Sequence, residues 1–249
     1  MKNETIVGKN PVIEALRAGR PIDKIWLAEG LRSSQLGPIL QLAKEQGVVV
    51  QYVPRKRLHE WAPDEVHQGV VATVAAYEYA ELDVILANAK AKTGLPFLIM
   101  LDGLEDPHNL GSILRTADAV GADGIIIPKR RSVGLTSVVA KASAGAIEYV
   151  PVIRVANLVQ TIKSMKDAGY WVVGTDAEGS SDYRTLKYDF PTLLIIGSEG
   201  KGISRLVREE CDYLVHLPME GRVTSLNASV AASLLMYEVY RQRNPLSLN

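Results

Sequence analysis

Residues 101–127 read LDGLEDPHNLGSILRTADAVGADGIII. An apolar end leads into a polar loop, and Leu110, Ile113, Leu114, Ala117 and Val120 then recur at the period of a helix. A second apolar run follows. Strand, loop, helix and strand in this order make the repeating unit of a domain built on a parallel sheet. The loop is predicted at the carboxyl end of a buried strand, where open α/β sheets bind ligands. Asn109 stands where a helix cap is expected, and Arg115 falls off the apolar stripe. Taken alone, capping and solvation would account for these two residues as well as any chemistry.

The same texture continues outward. Segments 97–101, 124–127, 171–175, 193–197 and 213–217 are near-continuous apolar runs, several of them separated by amphipathic helices. Strands covered on both faces look like this, so residues 97–249 are predicted to form an α/β domain. Residues 78–96 read as a linker, with one helix on Leu82, Ile85, Leu86 and Ala89, stopped by Thr93-Gly94-Leu95-Pro96. Residues 1–77 read as a smaller α/β unit. Its predicted strands are 24–28, 48–53 and 69–76. One helix is expected to be capped at Asn10-Pro11, with Val12, Ala15 and Leu16 facing inward, and a second helix ends at Gly47.

The bulk numbers narrow the class. Among 249 residues, 47% are hydrophobic and 22% charged, as in ordinary globular proteins. No apolar run nears the roughly 18 residues of a membrane span, and the N-terminus lacks a signal-peptide core, so a cytoplasmic protein is expected. Cys211 is the only cysteine, which excludes an intrachain disulfide and a cysteine-rich metal site. Lys plus Arg equals Asp plus Glu at 28 each, so no global field draws the chain to nucleic acid. Any nucleic-acid surface would have to be local. Arg55-Lys56-Arg57 and Lys129-Arg130-Arg131 are the densest basic runs, and each by itself reads most simply as a solvated loop.

Two further stretches stand out. Residues 193–204, LLIIGSEGKGIS, place Gly197, Gly200 and Gly202 after a buried strand. The spacing is not that of a dinucleotide fingerprint, and Glu199 would repel a phosphate while favouring a cationic ligand. Residues 217–243 run from a strand through a polar loop, Thr224-Ser225-Leu226-Asn227, into a long helix. Small residues, Ala228, Ser229, Ala231, Ala232 and Ser233, line its first turns, which suits close packing within the chain or against a second subunit.

In this order and spacing, the three segments resemble motifs 1, 2 and 3 of the SpoU (TrmH-like) family of RNA 2′-O-methyltransferases. The likeness covers roughly residues 95–243 and is nearest the RlmB-like branch, which methylates a guanosine of 23S ribosomal RNA. The N-terminal unit is similar to the ribosomal-protein-like RNA-binding domain of some of these enzymes. The resemblance implies a trefoil-knotted methyltransferase domain, S-adenosylmethionine as cofactor, no metal, an RNA partner and a homodimer. It places the cofactor on Gly197, Leu217 and Leu226, with Thr175 beside them. It gives Arg115 the task of stabilising the attacking 2′-oxygen, with Asn109, Glu199, Ser225 and Asn227 around it. A transfer RNA methyltransferase, an antibiotic self-protection enzyme, an inert RNA-binding protein and a small-molecule α/β enzyme remain as alternatives.

Overall fold

The computed structural model describes residues 3–31, 33–63, 65–75, 77–176, 181–222 and 225–245. Thr224 and Ala76, named in the sequence reading, lie outside them. The chain divides into two compact units: Met1–Glu78 with Leu135–Tyr149, and Tyr79–Gly134 with Val150–Asn249.

The first unit is a four-stranded sheet in the order β1 (Asn3–Val7), β4 (Val70–Ala75), β2 (Ile22–Ala28), β3 (Val49–Val53). Strand β4 pairs antiparallel with both neighbours, and β2 and β3 run parallel. Alternation sends Ile25, Leu27, Ala72 and Val74 to one face, where they pack with Val12 and Leu16 of α1 (Lys9–Arg17) and with Ile39 and Ala43 of α2 (Ser33–Glu45). The opposite face buries Ala28, Val53 and Val71 under Leu58 of α3 (Arg55–Trp61) and the following Ala62.

Two sequence expectations change here. Gly8, at φ +107°, turns the chain from β1 straight into α1, so the helix opens at Lys9 and Asn10-Pro11 lie inside its first turn. Arg55-Lys56-Arg57 is the first turn of α3 and not a loop.

Helix α6 (Ser137–Ala142) and the turn after it belong to this unit, although they fall inside the 97–249 stretch predicted as one domain. Polar contacts hold them. Arg20 bonds Glu148 at 3.1 Å, with both side chains under a tenth exposed, and lies 3.3 Å over the Tyr77 ring. Tyr77 donates to the same carboxylate, and Tyr149 donates to Glu14.

The second unit confirms the α/β reading. Its sheet runs β7 (Val152–Val155), β6 (Gly124–Pro128), β5 (Phe97–Asp102), β10 (Thr192–Gly197), β8 (Trp171–Thr175), β11 (Tyr213–His216), β9 (Ser181–Asp182), and all pairs are parallel. The predicted linker helix is α4 (Leu82–Ala91), and it packs Ile85 and Ala89 into this unit. Helices α5 (Pro107–Ala119), α7 (Leu158–Asp167), α8 (Arg205–Glu209) and α9 (Ala228–Arg243) complete it. Parallel pairing puts the loops after β5, β6, β8, β10 and β11 at one edge, where the three motifs converge.

Candidate functional site

Strand β10 delivers the glycine-rich loop. Ser198 and Gly202 exchange backbone hydrogen bonds of 3.1 and 2.9 Å, folding residues 198–202 into a tight return. The return passes directly over Gly197. A Cβ there would stand 2.1 Å from the Gly202 carbonyl carbon and 2.3 Å from the Ile203 nitrogen, so the closure requires glycine. Asp102, at the end of β5, accepts the Ser204 N–H at 2.7 Å and ties the far end of the loop to the sheet.

Asn227 caps α9, its Oδ1 accepting the N–H groups of Ser229 and Val230 at 3.0 and 3.3 Å. Its amide donates to Asn109 Oδ1 at 2.9 Å and to Glu199 Oε1 at 2.5 Å. Asn109 donates to the same Glu199 oxygen at 3.2 Å, as does the Ala228 N–H. One carboxylate oxygen of motif 2 therefore gathers donors from motifs 1 and 3. Asn109 is buried in this network and is not the cap of α5. Asp106 caps that helix, accepting the His108 N–H at 2.8 Å ahead of Pro107. Further along, Thr116 and Ser233 share a hydrogen bond of 2.9 Å between α5 and α9, and Ala228 and Ala232 are buried. Small residues of α9 thus pack within the chain.

A cavity of about 680 Å³ opens beside this network. Thr175, Gly197, Leu217, Ser225 and Leu226 all line it, together with Ile196, Val215, Ala231 and Leu235. Asp176 and His216 line it too, and the sequence reading missed both. The available signal was a carboxylate one residue past a buried strand, at the ligand-binding edge. Asp176 pairs with Arg208 at 2.5 Å. Behind the cavity, Cys211 packs against Gly174, and burial pushes its thiol up to about 12. That burial disfavours the thiolate.

Arg115 stands apart from the cluster. It is exposed on α5, lies outside the cavity lining, and forms no ion pair among the described residues. Lys129, Arg130 and Arg131 follow β6 at the same sheet edge and are also exposed. No three His, Cys, Asp or Glu side chains gather as a metal site among the described residues, and no helix there is long and apolar enough to cross a membrane.

Chemically, the arrangement offers apolar walls, two carboxylates and exposed loop backbone. That combination suits a small organic ligand with both apolar and polar groups.

Comparison with known proteins points the same way. Residues 96–237 match the model of the SpoU rRNA methylase family, and residues 5–80 match the RNA 2′-O ribose methyltransferase substrate-binding domain. A Bacillus subtilis (strain 168) protein named for the TrmH family of tRNA/rRNA methyltransferases, YacO, is 59% identical over 98% of both chains. The SpoU methyltransferase AviRb from Streptomyces viridochromogenes, solved with AdoMet, is 28% identical at a TM-score of 0.80, covering 97% of this chain and 90% of its own. An AdoMet-bound rRNA methyltransferase from Sinorhizobium meliloti is 29% identical at a TM-score of 0.80, covering 98% and 88%.

Proposed function

Because the chain belongs to the SpoU rRNA methylase family, we propose that it transfers a methyl group from S-adenosylmethionine to a ribose 2′-hydroxyl of ribosomal RNA. Its class, an RNA methyltransferase, is common ground among its relatives. A guanosine of 23S rRNA, as in the RlmB-like branch, is the finer reading. What carries the methyltransferase reading is the meeting of three motifs, through Asn109, Glu199 and Asn227, at the mouth of one cavity. The likeness to an rRNA enzyme spanning nearly the whole chain favours ribosomal over transfer RNA.

The cavity fits the cofactor. Its volume falls within the roughly 300–1,000 Å³ of small-molecule sites, and the Glu199 carboxylate, in no ion pair among the described residues, suits a cationic ligand. Backbone groups at Gly197, Leu217 and Leu226 would hold it, with Thr175 beside them. When bound, it supplies an electrophilic methyl group on a positively charged sulfur.

The protein's role is alignment and charge control. Asn109, Glu199 and Asn227 fix the loops, and Ser225 faces the ligand space. A guanidinium holds its proton too tightly to act as a base. Arg115 therefore binds an RNA phosphate and stabilises the developing 2′-alkoxide, and that phosphate helps pass the proton on to solvent. Lys129, Arg130 and Arg131, on the same edge, guide the RNA backbone.

On this reading the late strand β10, seated between β5 and β8, belongs to a chain threaded as a trefoil knot. The enzyme works in the cytoplasm as a homodimer through the outer face of α9, where Val230, Leu234 and Tyr237 are each about half exposed. A monomer by light scattering at micromolar concentration would count against the pairing.

Arg115→Ala tests the chemistry. Methyl transfer to RNA should fall at least about a hundredfold, with cofactor affinity by calorimetry unchanged. Normal turnover would overturn the role. Mapping 2′-O-methyl groups in cells with and without the gene tests the substrate. One lost 23S guanosine methyl is expected, and a loss confined to tRNA would refute the ribosomal assignment.

A further inference from the structure

The first unit carries a second surface that the chemistry above does not use. Trp26 of β2 and Trp61, the last residue of α3, meet with ring centroids 4.9 Å apart and planes tilted by 53°. Trp26 packs against the cluster beneath α3, while Trp61 is 41% exposed. Two turns of one helix also carry Arg55, Lys56 and Arg57, all exposed and none in an ion pair among the described residues. Glu60, within i+3 and i+4 reach of Arg57 and Lys56, neutralises neither of them.

Folding does not explain this arrangement. Three adjacent cations repel one another, and the first turn of a helix is where cations are least favoured. Trp61 packs one side on Trp26 and leaves the rest of a large ring open to water. An aromatic face beside free cations matches one chemistry closely, that of a nucleotide, with its planar base and charged phosphate. A base offers its face only when it is unpaired, because duplex RNA keeps its bases stacked inside.

We propose that this surface binds an unpaired nucleotide of the RNA substrate. The base stacks on Trp61, which Trp26 braces from behind, and Arg55, Lys56 and Arg57 hold neighbouring phosphates. The recognised element is therefore a loop or single-stranded junction and not a continuous helix. This rests on the reading of the protein as an RNA methyltransferase.

The third tryptophan, Trp171, lies in the other unit, so full-length protein carrying Trp171→Phe reports on Trp26 and Trp61 alone. Its emission is titrated with a 12-nucleotide oligo(U) and with a 12-base-pair RNA duplex at equal salt. The single strand should quench and bind about tenfold more tightly than the duplex. Trp61→Ala should weaken oligo(U) binding about tenfold or more, and Trp61→Phe should restore most of it. The triple change Arg55→Ala, Lys56→Ala, Arg57→Ala should lower the slope of log K against log salt by about two.

Equal quenching by duplex, or unchanged oligo(U) affinity in Trp61→Ala, would overturn the proposal. So would an unaltered salt slope in the triple variant, which does not depend on Trp61 variants folding. Cofactor calorimetry and methyl transfer by the parent protein separate the two readings. A parent that stacks oligo(U) but methylates no RNA sinks the enzyme assignment. A parent that methylates RNA with the same KM after Trp61→Ala sinks this one.

Discussion

Replacing Gly197 by alanine should damage the glycine-rich loop far more than one methyl group suggests. The new Cβ would start 2.1 Å from the Gly202 carbonyl carbon, where ordinary contacts begin at 3.4 Å. The loop must therefore retreat by more than an ångström, and both atoms it meets are backbone, which cannot rotate away. The retreat breaks the two hydrogen bonds between Ser198 and Gly202, worth about 1 kcal/mol each, on top of about 1–3 kcal/mol for overpacking. The expected sum is about 3–5 kcal/mol, a fall in Tm of roughly 6–20 °C for a chain of this size.

Gly200→Ala is the control. Gly200 has φ +77°, but nothing lies within 4 Å of the point where a Cβ would stand, so the change meets only backbone strain of about 1 kcal/mol. Differential scanning calorimetry and cofactor titration should rank the variants as wild type, Gly200→Ala, Gly197→Ala, with the last binding S-adenosylmethionine at least about tenfold more weakly. Equal Tm and equal affinity for Gly197→Ala and wild type would refute the closure argument outright.

Other outcomes follow from single side chains. Glu199→Gln keeps an acceptor for Asn109 and Asn227, so kcat should stay within about threefold if Glu199 positions the loops; a loss beyond about a hundredfold would make it the base. Arg243 donates to the carbonyls of Leu95, Pro96, Tyr188 and Phe190 and to the Thr192 hydroxyl. Arg243→Met strands these acceptors and should cost about 3 kcal/mol by chemical denaturation. Burial lowers the pKa of this guanidinium only to about 10, so the cost should be the same at pH 6 and pH 8. Cys211, raised by burial from 9.0 to about 12, holds about a thousandfold less thiolate than an ordinary cysteine at pH 8. Labelling by iodoacetamide should be correspondingly slow until the protein is denatured.

The sequence revealed elements wherever one physical signal ran unbroken. Runs such as 193–197 are apolar because β10 is buried on both faces, and Leu110 to Ala117 keep one helical stripe against the sheet. Short elements without such a signal were invisible. Strand β7 is Val-Ile-Arg-Val, and α3 buries only Leu58 among seven residues, which is why its cations looked like a loop. Asn109, Glu199 and Asn227 could be singled out by family resemblance. Their sharing of one oxygen could not, because the contacts to it span 90 and 28 positions. Asp176 and His216 came into view only when parallel pairing set β8 and β11 side by side.

The Glu148 carboxylate has a consequence for how the molecule is made. The guanidinium it meets, that of Arg20, leaves the ribosome 128 residues earlier. The amino-terminal unit packs its apolar core from residues complete by residue 75, but its Arg20–Glu148 pair closes only once residue 148 has emerged. A fragment ending at residue 78 would keep every strand yet lack that closing piece. No single peptide bond separates the units, so a fragment made by one cut never corresponds to one unit whole and alone.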